Sequence, residues 1–228
     1  MFMERKKNIL TKFLPAYGWL SVIVMLAINM IAFQGTRLIN TGWHHYDLSL
    51  PIDSYFPLIK EFVIIYIPIA YGQWIYGFYL AARESRKVCF QIFTAEIIAK
   101  LICMICFLII PTTMVRHDLT ATDFLSRWVQ SIYDMDPADN LFPSIHCLES
   151  YVLTRAAFSK KVGMERCPAW FKWLSVPVTA LVFASTLYLR QHVFVDVISA
   201  VIVVELGLFV ASKIPFDKFT GRRKDVQA

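Results

Sequence analysis

Charge is scarce in this chain: only 18% of its 228 residues are charged, and no stretch is polar enough to make a water-soluble domain. Repeats and low-complexity tracts are absent, so neither a solenoid nor a linker-built architecture organises the sequence. Cysteine is sparse as well. Five residues, with Cys89, Cys103 and Cys106 in or beside one apolar run, give no disulfide framework. Cys103 and Cys106 also lack the His or Cys partners that would make them a metal site, which leaves packing as their role. No small-residue cleavage site follows the first apolar run, so that run reads as a retained helix and not as a removed leader.

Apolar surface is what the chain has in abundance. Hydrophobic residues make up 57% of it and aromatics 15%, and the mean hydropathy is +0.52. A hydrocarbon layer of ~30 Å takes roughly 20 apolar residues to cross as a helix. The runs 17–33, 57–80, 89–110, 170–189 and 193–212 meet that need. The run 145–159 is shorter and carries Glu149 and Arg155, but the alternation of flanking charges asks for a crossing there too. The expectation is an all-α fold: one integral membrane domain over residues 1–228, a six-transmembrane-helix bundle with an interfacial helix in the third-to-fourth connection and a core half at 89–212.

The net charge of +6 does not point to a nucleic-acid partner, because the basic residues sort by side. Arg5, Lys6, Lys7 and Lys12 precede the first helix, and Arg83, Arg86 and Lys87 join the second to the third. Lys160, Lys161, Arg166 and Lys172 join the fourth to the fifth, and Lys213, Lys218, Arg222, Arg223 and Lys224 follow the last. Together these are 16 of the 23 Lys and Arg, and all fall on one face if six helices alternate. The positive-inside rule then makes both termini cytoplasmic, and a plasma-membrane protein is expected.

Two segments fall on the other face. Residues 34–57, "QGTRLINTGWHHYDLSLPIDSYFP", are polar, aromatic and proline-punctuated, which predicts a non-helical surface loop. Residues 112–142 form a long connection in which Phe124, Leu125, Trp128, Val129 and Ile132 recur at helical spacing behind a capping Asp123. That predicts a short helix, either interfacial and anchored by Trp128 or packed on the outer ends of the bundle. His44, His45 and His117 read as solvated residues of these loops.

Chemistry gathers where the last helix begins. His192 and Asp196 stand at i and i+4, so they share a face and can touch. An aspartate on one ring nitrogen fixes the tautomer and frees the other as nucleophile or base. An interfacial polar pair that merely caps the helix would look the same. The stretch "DNLFPSIHCLES", Asp139 to Ser150, opens the fourth helix with Ser144 and His146 beside a proline. Helices four and six run in the same direction in a six-span alternation, so their amino ends lie at similar depth. Backbone N–H groups there favour an anion, and Arg116 beyond the third helix adds positive charge. Two histidines, a serine, an aspartate and an arginine in one layer predict a site that handles a phosphoryl group.

The residues Phe142-Pro143-Ser144-Ile145-His146, then Ser185-Thr186, five residues, His192, three residues and Asp196, resemble the second and third motifs of the type 2 phosphatidic acid phosphatase superfamily. The stretch "STLYLRQHVFVDVISA" is similar to a branch that includes inositol phosphorylceramide synthase-like proteins. The resemblance implies a metal-free, cofactor-free membrane enzyme that acts on a membrane lipid and forms a phosphohistidine. It implies that His192 attacks phosphorus, Asp196 holds its ring and His146 protonates the leaving oxygen. Ser144 and Arg116 would bind the phosphate oxygens. Four departures stand out: the first motif's lysine is Ile109 and its proline is His117, the third motif's arginine is Thr186, and the second motif's glycine is Ile145. Arg190 is the expected replacement cation, with Arg127 a weaker one. Ser185, Thr186 and Glu149 are candidate supporting residues around the site.

Lys100 lies sixteen residues before Arg116, roughly 24 Å along a continuous helix, so it cannot serve as the missing lysine. It is expected to pair with Glu96 one turn away. Hydrolysis of a lipid phosphate or diphosphate is the first expectation. Transfer of a phosphorylated headgroup between lipids is the second, and a lipid-binding protein whose site has decayed is the third. The oligomeric state is not encoded in any motif.

Overall fold

The computed structural model describes residues 12–116, 119–120 and 122–220. His117 and the basic residues Arg5, Lys6, Lys7, Arg222, Arg223 and Lys224 lie outside the described residues. What is described is almost entirely helical. In chain order the helices are α1 (Ala16–Asn40), α2 (Lys60–Arg83), α3 (Arg86–Ile109), α4 (Phe124–Met135), α5 (Ile145–Phe158), α6 (Ala169–Tyr188), α7 (Phe194–Lys213) and α8 (Phe216–Thr220). Among the described residues, five of these, α1, α2, α3, α6 and α7, are long and apolar enough to cross a membrane. α5 has 14 residues, about 21 Å of rise.

Local chemistry explains where the helices start, bend and stop. Ser85 caps α3 by accepting the Val88 N–H, and Asp123 caps α4 by accepting those of Leu125 and Ser126, as its position predicts. Pro68 inside α2 removes a backbone donor, and the helix widens into a π-helical turn over Ile65–Ile69 around it.

α1 departs from expectation. The sequence ends it at residue 33 and begins a loop, yet helix continues to Asn40 through a π-helical turn at Ile31–Gly35. Gln-Gly-Thr has the composition of a break, but the Thr36 hydroxyl donates back to the Ala32 carbonyl. The end of the helix is then secured from outside, because Asn40 Nδ2 donates to the Phe107 carbonyl and, at 2.6 Å, to Asn140 Oδ1.

The long helices alternate in direction, and contacts at the two ends define two layers. At one end the Tyr17 hydroxyl donates to the Glu84 carbonyl, the Arg166 N–H donates to Glu84 Oε1, and Lys87 pairs with Asp217. The described basic residues of the 83–87, 160–172 and 213–218 segments belong to this layer. The opposite end gathers the carboxyl end of α1, the amino ends of α5 and α7, and the connections between them. There β1 (Tyr46–Asp47) pairs in parallel with β2 (Thr112–Thr113), tying the two long connections together, and Arg37 pairs with Asp139 at 2.9 Å.

Two glycines let helices approach closely. A Cβ at Gly207 of α7 would strike the Ala95 carbonyl of α3, and one at Gly18 of α1 would strike the Ala82 carbonyl of α2. Small residues of this kind are how helices pack where no water is left to expel. α4 lies across the second layer, with Val129 and Ile132 buried against Val63, Tyr66 and Leu189. Its apolar stripe therefore packs on the end of the bundle.

Candidate active site

The turn between α6 and α7 carries the first histidine. Gln191 and His192 both donate their N–H to the Thr186 carbonyl, which closes α6, and Arg190 adopts a left-handed backbone with φ 52° to reverse the chain. Asp196, in the first turn of α7, accepts the Val193 N–H at 3.1 Å and meets His192 Nδ1 at 3.2 Å with the same oxygen. Its other oxygen, Oδ1, has no hydrogen-bond partner among the described residues. Asp196 is fully buried and His192 nearly so. The Nδ1 nitrogen is thus committed to the carboxylate, which leaves Nε2 to act.

Asp53, from the connection between α1 and α2, grips the same turn. Its Oδ1 accepts the Phe194 N–H at 2.7 Å while Oδ2 accepts the Leu50 N–H at 2.7 Å. It caps α7 from a distant part of the chain. Asp53→Ala is expected to cost about 1–2 kcal/mol of stability, the usual loss for such a cap. Thermal unfolding in detergent checks this, and Asp53→Asn, which keeps an acceptor for Phe194, should recover most of the loss.

The second histidine stands on the first turn of α5. Ser144 caps that helix, its Oγ accepting the Cys147 N–H at 3.3 Å, and its own N–H donates to the Asp196 carbonyl at 3.2 Å. The two motif helices are therefore pinned to each other at their amino ends. The His146 ring stacks on Tyr66, centroids 4.4 Å apart and planes at 20°, with the Tyr66 hydroxyl 3.3 Å from Nδ1. Trp74 covers another side at 5.3 Å. The His146 and His192 centroids are 6.2 Å apart. With reacting atoms ~3–3.5 Å apart in a near-attack arrangement, one phosphoryl group fits between the rings.

The cations are more constrained than their charges suggest. Arg116 follows β2 in the connection beyond α3, and it donates to the carbonyls of Arg190 (3.2 Å) and Asp136 (2.5 Å) and to Gln191 Oε1 (2.9 Å). Its guanidinium also lies 4.5 Å over the Tyr133 ring. Burial lowers it from its ordinary pKa. It clasps the turn that presents His192. Arg190 directs Nη1 to the carbonyl of Asp53 at 2.9 Å and that of Phe56 at 3.5 Å, and its Nε is buried without a partner among the described residues. Arg127 is exposed on α4 and does not line the cavity at the histidines. The hydroxyls of Ser185 and Thr186 are buried and donate back to the carbonyls of Val182 and Phe183.

Acidic groups share the layer. Asp136 and Asp139 both line the cavity at the histidines, and burial raises both carboxyls above their ordinary values against the pull of Arg116 and Arg37. One turn past His146, Glu149 pairs through Oε1 with Lys100 Nζ at 2.6 Å, and Lys100 also pairs with Glu96. The expected Glu96–Lys100 pair is present, and Glu149 makes it a buried cluster of two carboxylates and one ammonium. A second ion pair, Arg155 with Glu205, joins α5 to α7, and the Tyr151 hydroxyl donates to Glu205.

The structure brings His146, His192, Asp196, Ser144 and Arg116 to one end of the bundle. Tyr66, Trp74, Asp136 and Gln191 escaped the sequence reading. Tyr66 and Trp74 look like any other aromatic of an apolar run, and Asp53 looks like any other acid of a polar loop.

Two imidazoles 6.2 Å apart, one held by a carboxylate, thus stand at one end of a bundle whose long helices are of membrane-crossing length. Residues 84–219 match the model of the PAP2 superfamily, and the chain belongs to that superfamily. No curated protein and no solved structure matches the chain. Membership supports a phosphatase or phosphotransferase type of function.

Proposed function

We propose that this protein hydrolyses a lipid phosphate or diphosphate through a phosphohistidine, on the extracytoplasmic side of a membrane that it crosses six times. The observation that carries the reading is the His146–His192 pair, 6.2 Å between centroids, with Asp196 on Nδ1 of His192.

His192 Nε2 attacks phosphorus in line, forming a P–N bond as the P–O bond to the lipid breaks. Asp196 stabilises the imidazolium character that builds on the ring. His146 gives its proton to the departing lipid oxygen. It then takes a proton from water, whose oxygen displaces His192 and releases phosphate. A hydroxyl can donate or accept, so Tyr66 can hold His146 Nδ1 in either protonation state. In this reading the Ser144 hydroxyl and the donors that Arg116 does not spend on Arg190, Asp136 and Gln191 would steady the non-bridging oxygens. In this reading α5 is the sixth crossing, and the basic layer around residues 83–87, 160–172 and 213–218 faces the cytoplasm with both termini.

His146→Gln tests the division of labour. Turnover of a lipid phosphate should fall about 10²–10⁴-fold. An aryl phosphate, whose leaving group needs no proton, should still load His192, so a base-stable, acid-labile phosphoenzyme accumulates. Equal losses on both substrates with no phosphoenzyme would refute the role.

A second reading, transfer of a phosphorylated headgroup to a lipid hydroxyl, is favoured by the charges around the site. Asp136 and Asp139 line it, and Arg116 is engaged by backbone and Gln191. Such a wall tolerates a phosphodiester, which carries one negative charge, better than a dianionic monoester. Products decide between the readings: free phosphate means hydrolysis, and a new phospholipid without free phosphate means transfer.

A further inference from the structure

The turn that presents His192 carries a donor that the fold leaves unspent. Gln191 is 1% exposed and is one of the residues lining the cavity, together with His192, His146 and Asp136. Its backbone N–H is held by the Thr186 carbonyl, and its side-chain Oε1 accepts from Arg116 Nη2 at 2.9 Å. A guanidinium only donates, so that hydrogen bond settles which end of the amide is oxygen. The other end, Nε2, is buried with no hydrogen-bond partner among the described residues. A buried amide nitrogen left unpaired is costly and rare, so it calls for an acceptor that arrives with a ligand.

The surroundings make that acceptor an anion's oxygen. Thr186, where the resemblance expects an arginine, turns its hydroxyl back to the Phe183 carbonyl, and Arg190 directs Nη1 to the carbonyls of Asp53 and Phe56. Neither residue lines the cavity. Arg116 is set back as well, because Gln191 belongs to the cavity wall and Arg116 does not. An anion therefore meets the amide before it meets the guanidinium. Donation from Arg116 into Oε1 polarises the amide and strengthens its N–H as a donor, as hydrogen bonds in a chain do. Positive charge is thereby passed one group forward.

Resting on the phosphoryl-site reading, we propose that Gln191 is a further phosphate-binding residue. With Oε1 anchored on Arg116, the amide turns its NH2 from the wall onto a non-bridging oxygen of the group that His192 attacks. The donor is one residue from the nucleophile and on a turn fixed by backbone hydrogen bonds, so it is positioned before the charge develops.

The test uses full-length protein in detergent and two variants that separate the donor from a brace. Gln191→Glu keeps an oxygen for Arg116 and replaces the NH2 with a second oxygen. Gln191→Met keeps the volume and removes both donor and acceptor. Both variants should lose about 10²-fold or more in kcat on a lipid phosphate, the usual cost of removing one oxyanion donor. Both should lose inhibition by orthovanadate, a mimic of pentacoordinate phosphorus, in the same proportion. A residue that only braces Arg116 gives another pattern: Gln191→Glu keeps its turnover, and Gln191→Met alone loses it, with a lowered unfolding temperature. Added charge alone gives the reverse, a loss in Gln191→Glu and native turnover in Gln191→Met. Either of these patterns, or turnover unmoved in both variants, overturns the inference and leaves the phosphoryl reading standing.

If the native protein neither turns over a lipid phosphate nor forms a phosphoenzyme, the phosphoryl reading fails, and anion binding then decides the inference. Orthovanadate is titrated while the emission of Trp74, which lines the cavity and packs on His146, is followed against Trp74→Phe as the blank. A saturable change that takes at least about tenfold more vanadate in Gln191→Met supports the amide as the donor. No change in the native protein, or the same titration in both, overturns it.

Discussion

His192→Ala is expected to lower phosphate release, or formation of the transferred lipid, by about 10⁴-fold or more, because it removes the atom that bonds to phosphorus. The loss should sit in kcat, since the groups around the lipid chain and the phosphate oxygens remain. No acid-labile phosphoenzyme should form with any leaving group, which separates this variant from His146→Gln. The fold should survive the change. The ring's hydrogen-bond partner is Asp196, and that carboxylate keeps the Val193 N–H. A His192→Ala protein that unfolds near the temperature of the native chain and still turns over lipid at more than a few per cent would refute the phosphohistidine mechanism.

The largest stability effect should come from Lys100→Ala. The lysine is fully buried between Glu96 and Glu149, and truncating it strands two carboxylates in an apolar bundle. Breaking a buried pair from one side typically costs about 3–5 kcal/mol, because the remaining charge is uncompensated. The variant should therefore give a strongly lowered unfolding temperature in detergent. Replacing the whole cluster, with Lys100→Met, Glu96→Gln and Glu149→Gln together, should restore most of the loss, since no charge is then left to desolvate. An unchanged unfolding temperature for Lys100→Ala would mean that the carboxylates are already neutral or hydrated and that the cluster carries no stability.

Much of this was legible in the sequence, and the reasons are local. Runs of apolar residues marked four of the five long helices to within a few residues, because crossing length and charge flanks leave little freedom. Asp123 stood where a cap was expected and caps α4; His192 lies in the turn before α7 and not on its face, yet it meets Asp196 as the four-residue spacing suggested. Glu96 and Lys100 were close for the same reason. Non-local partners were not legible. Glu149 joins Lys100 from another helix, Arg116 spends its donors on carbonyls and Gln191 beyond α4, and Asp53 reaches a backbone N–H 141 residues away. The helical continuation to Asn40 was hidden for a related reason: a Gln-Gly-Thr break is overruled by two asparagines that meet only in the folded chain. Arg190, the expected replacement cation, instead directs its side chain to the carbonyls of Asp53 and Phe56, on a connection whose path no periodicity encodes.

Tyr66, Trp74 and Asp53 all precede residue 84, where the match to the superfamily begins. Both histidines thus lie within the matched segment, while the aromatic rings packed on His146 and one helix cap come from the chain upstream of it. Two members with identical histidine motifs need not share a substrate.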